Sequence, residues 1–148
     1  AAHGIRQDSS GPEVRRLLEE HGFQVIASQI VPDERTQIEN ALLRLCDKVQ
    51  LVVTTGGTGV AERDLTPEAT DTVCDRLVPG LAERMRYEGA RKTPLAALSR
   101  GVCGIRHRTL IVNLPGSPTA ARESLVVIIE LLPHALELLK GNTEHQVT

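Results

Sequence analysis

Two loops of this sequence combine residue types that bind phosphate groups. In residues 54–66 (TTGGTGVAERDLT), Gly56, Gly57 and Gly59 expose backbone N–H groups to an anion, because no Cβ blocks its approach. Thr58 adds a hydroxyl donor. The loop has no Lys-Ser/Thr pair after its glycines and no third fingerprint glycine, so it is neither a P-loop nor a dinucleotide-binding motif. A plain tight turn is the alternative.

The second loop, LPGSP at residues 114–118, leads from an apolar run into a helix start. Pro115, Gly116 and Ser117 precede Pro118, and proline is favoured at the first helical position. The N-terminus of a helix presents free backbone N–H groups, so this loop is a second candidate anion site. A simple helix cap is the alternative. A nucleotide and a phosphorylated acceptor together would need two such loops.

Acidic side chains accompany the first loop. Asp64 and Glu68 follow its glycines, and Asp33 precedes a helical pattern elsewhere in the chain. Carboxylates repel a phosphate unless a hard cation such as Mg²⁺ lies between them, so their presence favours a bound cation. The alternative is that Asp64 and Glu68 only complement the positive end of a helix.

The elements that must position these loops alternate between helix and strand. Apolar residues at helical spacing predict helices at residues 10–22, after Pro32, and at 67–77, 81–87, 94–99 and 118–141, the last interrupted at Pro133. Runs rich in Val, Ile and Leu predict strands at residues 23–31, 51–53, 102–105 and 109–114. This alternation implies one three-layer α/β/α domain with a mostly parallel central sheet, whose ligands bind at the carboxyl ends of strands. Both loops have that position.

Composition excludes several classes of function. The 148 residues include 17 basic and 19 acidic side chains, giving a net charge of −2, so nucleic acid is not an expected partner. No apolar run approaches the roughly 20 residues that span a bilayer, and no signal peptide opens the chain. The three cysteines are scattered and are expected to be reduced and buried. We therefore expect a cytoplasmic, soluble protein that acts on small molecules.

Longer runs carry a specific resemblance. The stretch TTGGTGVAERDLTPEAT, with VPDE before it and TPLAALSRGVCGIRHRTLIVNLPGSP after it, resembles the Mog/gephyrin G-domain family of molybdopterin-binding proteins, and the similarity spans residues 8–141. The resemblance implies a three-layer α/β domain that forms a homotrimer. It also implies a reaction of molybdenum cofactor biosynthesis, in which AMP from Mg-ATP is joined to the terminal phosphate of molybdopterin and pyrophosphate is released.

The resemblance assigns roles to individual residues. Asp33 and Asp64 match the family's acidic residues on which catalysis depends, and we expect them to hold Mg²⁺. The residues expected to bind nucleotide or pterin are Gly56, Gly57, Thr58, Gly59, Asn113, Pro115, Gly116 and Ser117. Two departures stand out. Gly89 occupies a place where many members have a pterin-binding serine, and the chain starts after the point where the family's first strand and Thr-x-Ser-Asp segment would stand, so we expect that strand to be missing.

Two other functions compete with catalysis. A non-catalytic molybdopterin-binding scaffold would share the fold, and so would the nucleotide-metabolite hydrolase domain of CinA-like proteins. The intact Asp33 and Asp64 favour an enzyme, and the RDLTPEAT and LSRGVCGIR runs favour the Mog-like assignment without separating Mog from MoaB. Arg63, Arg100 and Arg106 are further candidates to contact phosphate, with exposure on the surface as the alternative.

Overall fold

A computed structural model of the chain describes residues 10–141 as a four-stranded sheet with helices on both faces. The helices are α1 (Ser10–Glu20), α2 (Arg35–Cys46), α3 (Thr66–Val73), α4 (Pro79–Ala90), α5 (Pro118–Ile128) and α6 (Leu132–Leu139), with 3₁₀ turns at Pro94–Leu98 and Ile129–Leu131. The strands are β1 (Leu51–Thr55), β2 (Arg76–Leu77), β3 (Cys103–Arg106) and β4 (Thr109–Leu114). The α/β fold class is confirmed.

The sheet has the order β1-β4-β3-β2. β1 and β4 are parallel, with Thr55 opposite Leu114, whereas β3 is antiparallel to both β4 and β2. The antiparallel pairing of β3 and β4 follows from their connection, because only two residues separate them and His107 turns the chain with a φ of 53°. The described sheet is thus mixed, and its parallel pair is the one that leads into both candidate loops.

Alternate residues of β4 point into two separate cores. Leu110, Val112 and Leu114 are fully buried on one face, against α1, α4, α5 and α6. Ile111 is equally buried on the other face, where it packs against α2, α3 and β1. A strand buried on both faces reads as a continuous apolar run, which is why its position could be predicted from the sequence.

The predicted strand at residues 23–31 is wrong, because the structure forms no strand there. A strand needs a backbone partner, and β1 pairs with β4 alone among the described strands. A cavity of about 640 Å³ is lined both by residues 22–31 and by β1. High β-propensity without a neighbouring strand therefore did not produce a strand.

The predicted helix at residues 67–77 is too long. α3 ends at Val73, and Cys74 adopts an extended conformation with ψ at 140°. The next residues pair with β3 instead: Asp75 N–H donates to Ile105 O at 2.7 Å, and Val78 N–H donates to Cys103 O at 2.8 Å. Tertiary pairing overrides the helical pattern here.

Two predicted helix bounds also differ. The predicted helix at residues 81–87 is longer in the structure, where α4 begins at Pro79, and α6 begins at Leu132, one residue before Pro133. No helix within residues 10–141 is long and apolar enough to cross a membrane.

Candidate functional site

The two predicted anion loops lie side by side at the carboxyl ends of β1 and β4. Gly56 N–H donates a hydrogen bond to Leu114 O at 3.0 Å, which continues the parallel pairing into the loops. A Cβ added to Gly116 would lie 3.2 Å from Gly56 Cα, so the two backbones touch. A side chain on Gly116 would crowd the other loop, and one on Gly56 would be strained by its φ of 86°.

The first loop folds back on itself at its glycines. Gly57 has a φ of 71°, and its carbonyl accepts a hydrogen bond from Thr66 N–H at 3.1 Å. Thr66 is the first residue of α3, and the N-cap of the helix, Leu65, makes no side-chain cap bond. The Thr66 hydroxyl instead fills the space beside Gly57, where a Cβ would overlap it.

Asp64 closes the middle of this loop. Its Oδ2 accepts a hydrogen bond from Ala61 N–H at 3.0 Å, and a Cβ added to Gly59 would lie 2.8 Å from the same oxygen. The side chain is therefore held by its own loop through one carboxylate oxygen. The other carboxylate oxygen makes no hydrogen bond within the described part of the chain, so it is free to bind a ligand or a cation.

Arg100 reaches into the same loop from the other side. Its Nε donates to Gly59 O at 2.7 Å, and one terminal nitrogen donates to Asp64 O at 2.6 Å. The other terminal nitrogen donates to Glu68 at 2.6 Å. This hydrogen bond lowers the pKa of the Glu68 carboxyl and raises that of the Arg100 guanidinium.

Asn113, at the end of β4, holds three elements together. It is 2% exposed, its Nδ2 donates to Thr54 Oγ1 at 3.0 Å and to Thr70 Oγ1 at 3.1 Å, and its Oδ1 accepts from Val102 N–H at 3.1 Å. Both amide hydrogens are used within the protein, so a ligand has access to one acceptor lone pair at most. The side chain thus fixes β1, β4 and α3 relative to each other.

Most of the predicted site residues line one cavity of about 570 Å³. These are Gly57, Thr58, Gly59, Asp64, Asn113, Pro115, Gly116 and Ser117. Ser117 caps α5 by accepting from Ala120 N–H at 3.2 Å, as its place before Pro118 predicted. The cavity also has basic side chains at Arg86 and Lys92, acidic ones at Glu88 and Glu123, and apolar ones at Met85, Leu95 and Val127. The backbone N–H groups of its two loops that are unpaired within the described structure suit an anionic group, and the apolar side chains suit an apolar part of the same ligand.

Asp33 lies on the other cavity, the one of about 640 Å³. Gly56 lines that cavity too, and Gly57 lines both. Asp33 is exposed and makes no hydrogen bond or ion pair within residues 10–141. The structure therefore brings Asp64 and the two loops together at one cavity and places Asp33 at the neighbouring one, with Gly57 between them.

The acidic residues do not form a complete metal cage. Within the described ranges no group of three or more His, Cys, Asp and Glu side chains could hold a metal ion. Mg²⁺ in nucleotide sites commonly uses one or two carboxylates and takes its other ligands from water and substrate phosphates. A carboxylate oxygen of Asp64 without an internal partner, beside a glycine loop, fits that mode of binding.

The main feature that the sequence analysis did not predict is the structural role of the arginines. Arg100 is a candidate phosphate contact by its type, but its donors face loop carbonyls and Glu68. Arg106 donates to Val73 O at 3.0 Å, and it too serves the fold. Arg63 is exposed, with no hydrogen bond in the described structure. No local signal links Arg100 to a loop 41 residues earlier in the chain.

The described residues form a three-layer α/β protein in which two strand-to-helix loops lie side by side at one cavity. The chain belongs to the family described as the probable molybdopterin binding domain, which matches residues 1–134. The molybdopterin adenylyltransferase of Helicobacter pylori strain 26695 is 44% identical over 146 residues, covering 96% of this chain and 83% of the relative.

Solved structures show the same likeness. The molybdopterin biosynthesis enzyme MoaB from Thermus thermophilus is 54% identical, with a TM-score of 0.86 over 92% of this chain and 87% of its own. The molybdopterin biosynthesis Mog protein from Mycobacterium ulcerans is 41% identical, with a TM-score of 0.88 over 95% and 92% of the two chains. CinA from Thermoplasma acidophilum, at 19% identity and a TM-score of 0.64 over 83% and 86%, shares only the fold. The resemblance recognised in the sequence is confirmed.

Proposed function

We propose that the chain is a molybdopterin adenylyltransferase, which transfers AMP from Mg-ATP to the terminal phosphate of molybdopterin. One observation carries the proposal: two backbone-lined loops touch at Gly56 and Gly116, and the cavity beside them is lined by Asp64. Two phosphorylated substrates must meet in this reaction, and two adjoining anion loops suit that need. The activity named for the Helicobacter pylori relative supports the same reaction.

The chemistry requires alignment more than a protein nucleophile. An oxygen of the pterin phosphate attacks the α-phosphorus of ATP, the bond from that phosphorus to the oxygen bridging to the β-phosphate breaks, and pyrophosphate leaves with the electron pair. The attacking oxygen is already anionic, so no general base is needed. An enzyme accelerates such a reaction mainly by holding the two anions in line and close together. The N–H groups of residues 57–59 and 116–117 are the donors that we assign to this task; Gly56 N–H is already bonded to Leu114 O.

Asp33 and Asp64 are the residues that we assign to Mg²⁺ binding. The cation, when bound, neutralises charge on the phosphates and on the departing pyrophosphate. Asp64 is supported by its place on the loop cavity and by its uncommitted oxygen. Asp33 is supported by its place on the adjoining cavity, which also contacts the glycine loop through Gly56.

The assembly, location and partners of the chain complete the proposal. We propose a homotrimer, which the exposure of large apolar side chains supports, since Val60, Tyr87 and Leu95 are 68%, 66% and 70% exposed. A cytoplasmic location is supported by the three free cysteines. The net charge of −2 supports small molecules rather than nucleic acid as partners.

The decisive experiment is incubation of the protein with ATP, Mg²⁺ and molybdopterin. We expect adenylylated molybdopterin and pyrophosphate in equal amounts, and no product when Mg²⁺ is chelated. Binding of molybdopterin without any pyrophosphate release would support the scaffold instead. Hydrolysis of a pyridine nucleotide without adenylylation would support the CinA-like activity.

A further inference from the structure

We infer that Arg100 is a positioning residue for the adenylyl transfer: it holds the glycine loop in its active shape and thereby sets the position of Asp64. This inference rests on the proposed function. Arg100 contacts no predicted ligand group directly. It acts through loop carbonyls, so its effect on catalysis is indirect.

The hydrogen bonds of Arg100 tie together both ends of the loop. Its backbone N–H donates to Thr58 O at 2.7 Å, and its Nε donates to Gly59 O at 2.7 Å. Its side chain also donates to Asp64 O at 2.6 Å. One residue therefore fixes the backbone at the glycines and at the acidic residue simultaneously.

The direction of these bonds matters for anion binding. Loop carbonyls turned toward a phosphate would repel it, whereas N–H groups turned toward it attract it. Arg100 donates to the carbonyl oxygens of residues 58, 59 and 64 and so holds them on its own side of the loop. The N–H groups of residues 57–59 make no hydrogen bond within the described structure and can face a ligand, whereas those of Ala61, Asp64 and Thr66 are bonded within the loop.

Glu68 orients the guanidinium from the first turn of α3. It accepts from one terminal nitrogen at 2.6 Å and from the other at 3.4 Å, so the contact is two-pronged. The Arg100 and Glu68 side chains are 37% and 40% exposed, so solvent screens the ion pair and its own contribution to stability is small. The pair therefore controls the position of the Arg100 guanidinium rather than the stability of the fold.

The test compares Arg100→Met with wild type in steady-state kinetics and in hydrogen exchange. We expect kcat to fall by roughly 10- to 100-fold, because small misplacement of aligned groups costs about that much, while KM for molybdopterin changes less than about threefold. We also expect a higher Mg²⁺ concentration for half-maximal rate. Arg122→Met is the matched control, since Arg122 forms an exposed ion pair with Glu13 at 3.4 Å and does not line the loop cavity.

A double-mutant comparison separates positioning from a general loss of structure. If Arg100 acts through Asp64, then Arg100→Met should reduce the rate of Asp64→Asn by less than about threefold. If the double variant instead loses rate by the product of the two single-variant losses, the inference is overturned. Arg100→Lys keeps the charge but not the planar guanidinium, and Glu68→Gln removes the carboxylate charge that orients it. Kinetics and hydrogen exchange of these two variants test the inference if Arg100→Met does not fold.

Hydrogen exchange makes the inference testable without activity. We expect the hydrogen-bonded loop amides of Ala61, Asp64 and Thr66 to exchange at least about tenfold faster in Arg100→Met, while those of β4 keep their protection. Unchanged exchange in the loop would overturn the inference even if the enzyme were active. An inactive wild type with faster loop exchange in the variant would instead count against the proposed adenylyl transfer alone.

Discussion

Gly57 and Thr66 close the glycine loop by direct contact: the Gly57 carbonyl accepts from Thr66 N–H at 3.1 Å, and the Thr66 hydroxyl occupies the space where a Cβ of Gly57 would stand. The loop therefore depends on glycine for two reasons. One is the φ of 71°, which L side chains rarely adopt, and the other is the lack of room. The start of α3 is thereby placed against the anion loop.

Gly57→Ala should abolish most of the adenylyl transfer and destabilise the fold by about 2–3 kcal/mol, because strain and steric overlap act together. Urea unfolding and the pyrophosphate-release assay measure the two effects. Gly141→Ala is the matched control. Gly141 has a similar φ of 82° but nothing within 4 Å of an added Cβ, so it should cost only about 1–2 kcal/mol and leave the rate unchanged. Equal activity losses in both variants would contradict the role of the contact.

Asp64→Asn should lower kcat by on the order of 100-fold while the dissociation constant of molybdopterin stays within about threefold. The amide oxygen can still accept from Ala61 N–H, so the loop keeps its shape, but the charge available to Mg²⁺ is lost. Single-turnover rates and equilibrium binding of molybdopterin measure this separation. Asp71→Asn, on the exposed side of α3, is the control and should keep wild-type rates. Near-native turnover of Asp64→Asn would contradict the assignment.

The parts predictable from sequence are those set by local patterns. β4 is predictable at residues 109–114, because a short, continuous apolar run bounded by turn residues is typical of a strand buried on both faces. The Ser117-Pro118 start of α5 is predictable because capping chemistry is local. The position of each loop at the carboxyl end of a strand is also predictable, whereas the parallel pairing of β1 with β4, which brings the two loops together, comes from the structure.

The predictions that are wrong concern features that depend on contacts between residues far apart in the chain. Residues 23–31 have the composition of a strand but no partner strand, and the end of α3 is decided by pairing of residues 75–78 with β3. Likewise, the type of Arg100 favours a phosphate contact, whereas its role depends on carbonyls 36 and 41 positions earlier. Long-range hydrogen bonds of this kind leave no periodic signal in a single sequence.

Asn113→Ala should destabilise the protein by about 3 kcal/mol or more, since it leaves the Val102 N–H and the Thr70 and Thr54 hydroxyls without their partner. Activity should fall with it, because both loops leave the strands that Asn113 joins. Thr70→Val, which removes a single acceptor at a fully buried position, should cost only about 1–2 kcal/mol. Urea unfolding at neutral pH measures both. A smaller loss for Asn113→Ala than for Thr70→Val would show that the amide does not hold the network.

Glu68→Gln should change the pH dependence of unfolding in a direction set by Arg100. The hydrogen bond from Arg100 lowers the Glu68 pKa below its ordinary value of 4.5 in the folded protein. A carboxyl with a depressed folded pKa stabilises the fold above its unfolded pKa, and that stabilisation is lost as the pH falls through the folded value. The difference in unfolding free energy between wild type and Glu68→Gln should therefore be constant from pH 7 to about pH 5 and then shrink on further acidification.

The expected difference at neutral pH is small, because Glu68 is 40% exposed and screened by solvent. Urea titrations at several pH values, in low and high salt, measure it. Arg15 and Glu19 form an exposed ion pair at 3.3 Å on α1, so Glu19→Gln serves as a comparison for the loss of a helix-surface pair on another helix. A Glu68→Gln difference that grows on acidification would mean that Arg100 does not stabilise the ionised carboxylate, and the guanidinium would then lack the anchor that directs it into the glycine loop.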